Sequence, residues 1–141
     1  MYENILLPID PEADESSRKA MSTAVRVAQD YGANPHVLCV VPRLGQYAAN
    51  MFPAGFAEKN ADAVKTRLAE IGEKIDISEG RLHLHVATGA VYDEIISLSR
   101  KASCDLIILA SHRPELSDYL LGPNAAKVVR HSDCSVMVVR D

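Results

Sequence analysis

Apolar side chains gather along this chain in five short runs, and between the runs they recur every three or four residues. Asn4 to Ile9 and His36 to Val41 are almost continuously apolar, the pattern of strands buried on both faces of a sheet. Leu106 to Ala110 reads the same way, and Ser135 to Val139 reads as a fifth strand. Leu82 to Val86 alternates Leu-His-Leu-His-Val, a strand with one apolar face, and Gly89 follows where strand passes into helix. The intervening segments carry the helical period. Ala20, Ala24, Val27, Ala28 and Tyr31 form one stripe, with Ser16 or Ser17 placed to cap its start and Gly32 to stop it. Ala57, Ala61, Val64, Leu68, Ile71 and Ile75 form a second amphipathic stripe, about five turns long. Val91, Ile95, Leu98 and Ala102 form a third, with Asp93 and Glu94 near the positive end of its dipole. Gly122 and Pro123 open a short fourth helix through Val129, since proline suits the first helical position.

Strands alternating with helices in this order imply a parallel sheet joined by right-handed crossovers. The expected fold is therefore α/β, a doubly wound five-stranded parallel sheet with helices on both faces. The segment from Arg43 to Gly55 shows no period and carries Leu44, Tyr47, Met51 and Phe52. It reads as a loop that is a lid, a partner surface or packing for the long helix.

Composition narrows the class. The 141 residues suit one domain, 1–141. Fifteen Lys and Arg against 19 Asp and Glu leave a net charge of −4, which removes the basic excess expected of a nucleic-acid or anionic-membrane surface. Cys39, Cys104 and Cys134 are odd in number and widely spaced, without a C-x-x-C pair or a signal peptide, so a cytoplasmic location is expected. In or beside apolar strands they read as small buried hydrophobes. The longest uncharged stretch, Leu44 to Ala57, is interrupted by Gly45, Pro53 and Gly55 and falls short of the roughly 18 residues a spanning helix needs. No membrane insertion is expected.

In an open parallel sheet, ligands bind beyond the carboxyl ends of the strands where the strand order reverses. That places Pro8, Ile9 and Asp10 opposite Ala110, Ser111, His112 and Arg113, with Gly122, Pro123 and Asn124 at the start of the last helix. A carboxylate for ribose hydroxyls, a glycine turn and helix N-terminal amides are what a nucleotide requires.

Four blocks resemble the universal stress protein family in its single-domain bacterial form with a short loop. They run from Tyr2 to Asp10, from Thr88 to Ile96, from Cys104 to His112 and from Leu120 to Val139. The resemblance implies a Rossmann-like fold of the adenine nucleotide alpha hydrolase type and a stress-response regulator or sensor. It also implies a homodimer paired through Val136, Met137, Val138 and Val139, and binding of ATP or a related adenine nucleotide, with Mg²⁺, without efficient turnover. By position, Pro8, Asp10, Val40 and Leu109 frame the adenosine, with Asp10 on the ribose, and Gly122, Pro123 and Asn124 lie by the phosphates.

The ATP-binding members carry Gly-x-x-Gly, about nine residues, then Gly-Ser or Gly-Thr. Here Ala110 and Arg113 replace the first two glycines and Pro123 replaces the hydroxyl residue. Proline removes a hydroxyl and a backbone N–H together. At roughly 1.5–3 kcal/mol per hydrogen bond to a charged group, two losses weaken binding by about two to four powers of ten. The amides of Asn124 and Ala125, the Asn124 side chain and the Arg113 guanidinium offer partial replacement. The alternative is a nucleotide-free dimeric interaction module, with an unidentified protein partner.

Other chemistries find less support. Neither a Gly-x-x-x-x-Gly-Lys nor a Gly-x-Gly-x-x-Gly loop occurs, against an efficient NTPase or a dinucleotide dehydrogenase. Ser111 beside His112 prompts at most a slow ATPase, because adjacent residues align poorly for proton transfer and a third orienting group is not evident. No catalytic residue is assigned. His83 and His85 share one side of a strand, yet no carboxylate or cysteine accompanies them at ligand spacing, so the expected reading is solvent-facing histidines with no metal.

Overall fold

The computed structural model describes residues 1–10, 16–43, 45–111 and 123–140. The elements run β1 (Asn4–Pro8), α1 (Ser16–Tyr31), β2 (Asn34–Val41), α2 (Gln46–Ala49), α3 (Phe56–Glu73), β3 (His83–Thr88), α4 (Val91–Lys101), β4 (Leu106–Ser111), α5 (Pro123–His131) and β5 (Ser135–Arg140). The five strands form one sheet in the order β3-β2-β1-β4-β5, all pairs parallel. The chain moves outward from β1 to β3, then crosses back to β4. With right-handed crossovers that reversal puts α1 and α3 on one face and α4 and α5 on the other.

The continuous apolar runs are the central strands. Ile5, Leu6, Leu7, Leu106, Ile107 and Ile108 are at most 1% exposed, because both faces of β1 and β4 are covered. α1 presents the small residues Ala20, Ala24 and Ala28 to the sheet, so its backbone lies close to it. It ends at Gly32, whose φ of 66° is one that glycine adopts without strain. The last turn is held from outside: Arg81 Nη2 donates to the carbonyls of Ala28 at 2.9 Å and Ala33 at 2.7 Å.

The boundaries differ from the periodic reading in instructive places. β2 begins at Asn34, ahead of His36, because the chain already pairs with β1 there, Asn34 lying opposite Asn4. α3 ends at Glu73, and Ile75 stays buried through a turn in which its N–H donates to Gly72 O at 3.1 Å. β3 starts at His83 and runs on to Thr88, drawn out by pairing with Val41. Within the stretch read as loop, Gln46–Ala49 forms one helical turn. Phe52 stacks on Phe56 with centroids 4.2 Å apart, so part of that stretch packs on the start of α3, while Tyr47 and Met51 are exposed. Leu44 lies outside the described residues. No helix among the described residues is long and apolar enough to cross a membrane.

Candidate functional site

The order reversal falls between β1 and β4, and the carboxyl ends of those strands carry the residues singled out from sequence. Pro8 closes β1, where its missing N–H costs least. Pairing continues one residue further, since the Ile9 N–H donates to Leu38 O at 2.8 Å. Asp10 follows at the rim, partly exposed. Its charge reaches Cys39 and, after burial itself, is a second cause that pushes the Cys39 thiol up to about 12.

Register sorts the set further. Parallel partners share a face, and side chains alternate along a strand. Leu6 lies opposite both His36 and Ile107. Stepping by two from there puts Pro8, Val40, Leu109 and Ser111 on one face, the one that α4 and α5 cover. Val40 and Leu109 are buried at 4% and 2% exposure, while Ser111 is partly open. They make an apolar floor with one hydroxyl at its edge. Ala110 points to the opposite face, and the Ile9 side chain lies in the core. These two offer a ligand their backbone only.

α5 runs antiparallel to the strands, so its amino end lies at the same rim. Pro123 is its first residue, followed by the half-buried Asn124. Proline at this position removes one of the amides that a helix start presents to an anion, leaving those of the next residues. His112, Arg113 and Gly122 lie outside the described residues.

The second turn at this rim also has a physical cause. Gly89 joins β3 to α4 with φ 152°, its N–H donates to Val41 O at 3.0 Å, and a Cβ there would stand 2.7 Å from Glu94 Oε1.

With topology and rim in place, comparison with known sequences decides the family. The profile described as the Universal stress protein family matches residues 1–140. The chain belongs to the universal stress protein family. It is 34% identical to Universal stress protein G of Escherichia coli O157:H7 over 143 aligned residues, covering 99% of this chain and 100% of that protein. Among solved structures, a universal stress protein in complex with cAMP superposes with a TM-score of 0.69 at 20% identity, covering 99% of this chain and 97% of the other. The universal stress protein from Archaeoglobus fulgidus in complex with dAMP gives 0.64 at 14% identity, covering 97% of each chain. At those identities the likeness is one of fold: the five-stranded parallel α/β sheet is the family's Rossmann-like fold.

One cluster escaped the sequence reading. His83 and His85 do not simply face solvent: β2 brings a third imidazole, His36, to the same face. His36 lies opposite His83 in register, and their rings stack with centroids 4.5 Å apart. His36 Nδ1 and His85 Nε2 are 3.0 Å apart, a hydrogen bond between two imidazoles. The signal was present, since His36 opens the second apolar run, but only register links residues 47 positions apart. Among the described residues, no group of three His, Cys, Asp or Glu side chains is arranged to hold a metal ion.

Proposed function

We propose that this family member binds an adenine nucleotide, ATP foremost, at the β1/β4 rim without efficient turnover, and works as a homodimeric regulator in the cytoplasm. The observation that carries the reading is the strand order β3-β2-β1-β4-β5, which puts the crevice of an open α/β sheet between Pro8–Asp10 and Leu109–Ser111. Val40, Leu109 and Pro8 supply the apolar floor for the base. Asp10 accepts the ribose hydroxyls, and the amides of Asn124 and Ala125 meet phosphate oxygens, with Ser111 beside them. His112, Arg113 and Gly122 complete the phosphate side in sequence, and Mg²⁺ would neutralise the bound triphosphate. That two fold relatives are complexes with cAMP and dAMP supports the adenine class.

The dimer reading rests on β5. It is an edge strand with Met137 and Val138 37% and 39% exposed, while Val136 and Val139 pack on the core. An unpaired edge with exposed apolar side chains is a template for a second copy.

Calorimetric titration with ATP, with and without Mg²⁺, tests the first claim. Binding that Asp10→Ala reduces at least tenfold is the expected result, and neither heat nor thermal shift at saturating nucleotide would overturn it, because a native-state ligand must stabilise by linkage. Sedimentation of the protein and of Val138→Lys tests the second: a dimer that the lysine dissociates supports pairing through β5. A dimer without nucleotide binding would favour the interaction-module reading, to which Pro123 at the helix start lends weight.

A further inference from the structure

The His36, His83 and His85 cluster is not accounted for by the nucleotide rim. It lies toward the amino end of the β2–β3 pairing, at the opposite end of the strands from Val40 and Thr88. β3 is an edge strand held by β2 on one side only. His36 is 8% exposed, His85 half-buried and His83 exposed, so the three rings form a graded path from core to solvent. The hydrogen bond between His36 and His85 requires one neutral nitrogen as acceptor and fails when both rings are cationic. The stacked ring of His83 puts a third potential charge against the first.

We propose that this triple-imidazole seam is an acid-operated latch: proton uptake by the cluster releases β3 from β2 while β1, β4 and β5 stay paired.

Among the described residues, the charges nearest the latch are its own. On β1, His36 faces Leu6. On β3 it faces His83 and His85. From α4, which packs on β2, the buried residues are Val91, Ile95, Ile96 and Ser99, none of them charged. Of the charged residues of α4, Arg100 is paired with Asp133 at 2.8 Å, and Asp93 and Lys101 are exposed while Glu94 lies against Gly89 at the far rim. α3 packs on the other face, where Leu84 meets Gly72. Arg81, two residues before β3, donates to Ala28 O and Ala33 O.

Burial first, then the neighbouring His83 and His85, lowers His36 from 6.5 to about 4, and burial followed by His83 lowers His85. The open seam, with ordinary imidazoles, therefore binds more protons than the closed one. Closure is fully favoured above pH 6.5 and loses its advantage as pH falls toward 4. For His36 alone, with 6.5 open and 4 closed, linkage gives a roughly 60-fold loss of the closed-to-open ratio between pH 7 and pH 4.5.

Amide hydrogen exchange, corrected for the intrinsic pH dependence of the rate, reads the latch directly. Protection at Leu84 to Thr88 is expected to fall about 70-fold from pH 7.5 to 4.5, with a much smaller change at Ile107 to Ala110. In His36→Gln the excess loss at β3 is expected to shrink to the smaller part that the burial of His85 carries. Imidazole ¹⁵N shifts of the unmutated protein give an independent reading that does not depend on a variant folding: His36 is expected to stay neutral at pH 5.5. A His36 midpoint at 6 or above, equal loss of protection in β3 and β4, or the same loss in His36→Gln would each overturn the proposal. These readouts involve no nucleotide, so they stand or fall apart from the binding reading.

Discussion

Replacing Arg81 with methionine isolates what one guanidinium does for the packing of α1 against the sheet. The substitution keeps most of the aliphatic stem and removes the charge and its donors. One terminal nitrogen, Nη2, uses its two hydrogens on the carbonyls of Ala28 and Ala33, and so ties the end of α1 to the start of β2. Ala28 O already accepts the Ala33 N–H at 2.9 Å, so the guanidinium fills its second lone pair. Hydrogen bonds to a charged donor contribute roughly 1.5–3 kcal/mol each, or about 3–6 for two. Against that stands Arg81 Nε, a buried nitrogen without a hydrogen-bond partner among the described residues, whose removal recovers a desolvation cost of roughly 1–3 kcal/mol. The bonds win, and the net loss is about 2 kcal/mol, a fall in Tm of roughly 6–8 °C for a domain of this size. Urea denaturation followed by circular dichroism measures it. A loss under about 0.5 kcal/mol, or a gain in stability, would show that the orphaned nitrogen and the buried charge cancel the two bonds.

Gly89→Ala should cost about 1–3 kcal/mol because φ of 152° is closed to an alanine; the contact with Glu94 Oε1 adds little, since that side-chain end can move. An unchanged Tm would mean that the turn relaxes freely. Burial, assisted by Asp10 at one site and by Cys134 and Asp105 at the other, pushes Cys39 and Cys104 up to about 12, so a thiol reagent at pH 8 should modify Cys134 first. Native protein carrying Cys134→Ser should then stay unlabelled until unfolded, and rapid labelling of it would refute the burial of the other two.

The fold was legible because its central strands, β1, β2 and β4, are buried on both faces. Runs such as Leu106 to Ala110 have no polar alternation to confuse with a surface strand, and the stripe from Ala57 to Ile75 has the helical period throughout. The rim was legible only in part: alternation of elements and handed crossovers give a doubly wound parallel sheet, whereas the order that sets the reversal between β1 and β4 is fixed by the strand pairing. What periodicity could not give was cross-strand register. The hydrogen bond from His36 to His85 and the reach of Arg81 to Ala28 join residues about 50 positions apart, and no local pattern encodes them. The face assignment of Ile9 and Ala110 was hidden for the same reason: in a run that is apolar at every position, parity cannot be read until one partner is fixed. The turn at Gln46–Ala49 was too short to show a period.

An open sheet has two ends, and their difference governs what a crowded solution of this protein becomes. If β5 of one copy could continue the sheet through β3 of the next, each addition would regenerate a free end and the product would be a fibre. In the proposed dimer, pairing β5 with β5 about a two-fold axis would consume one end and stop. The other end presents exposed His83 and half-buried His85, and polar side chains on an edge strand discourage strand addition. If the proposed β5 pairing holds, the imidazoles at β3 thus favour growth that terminates at two chains rather than a fibre.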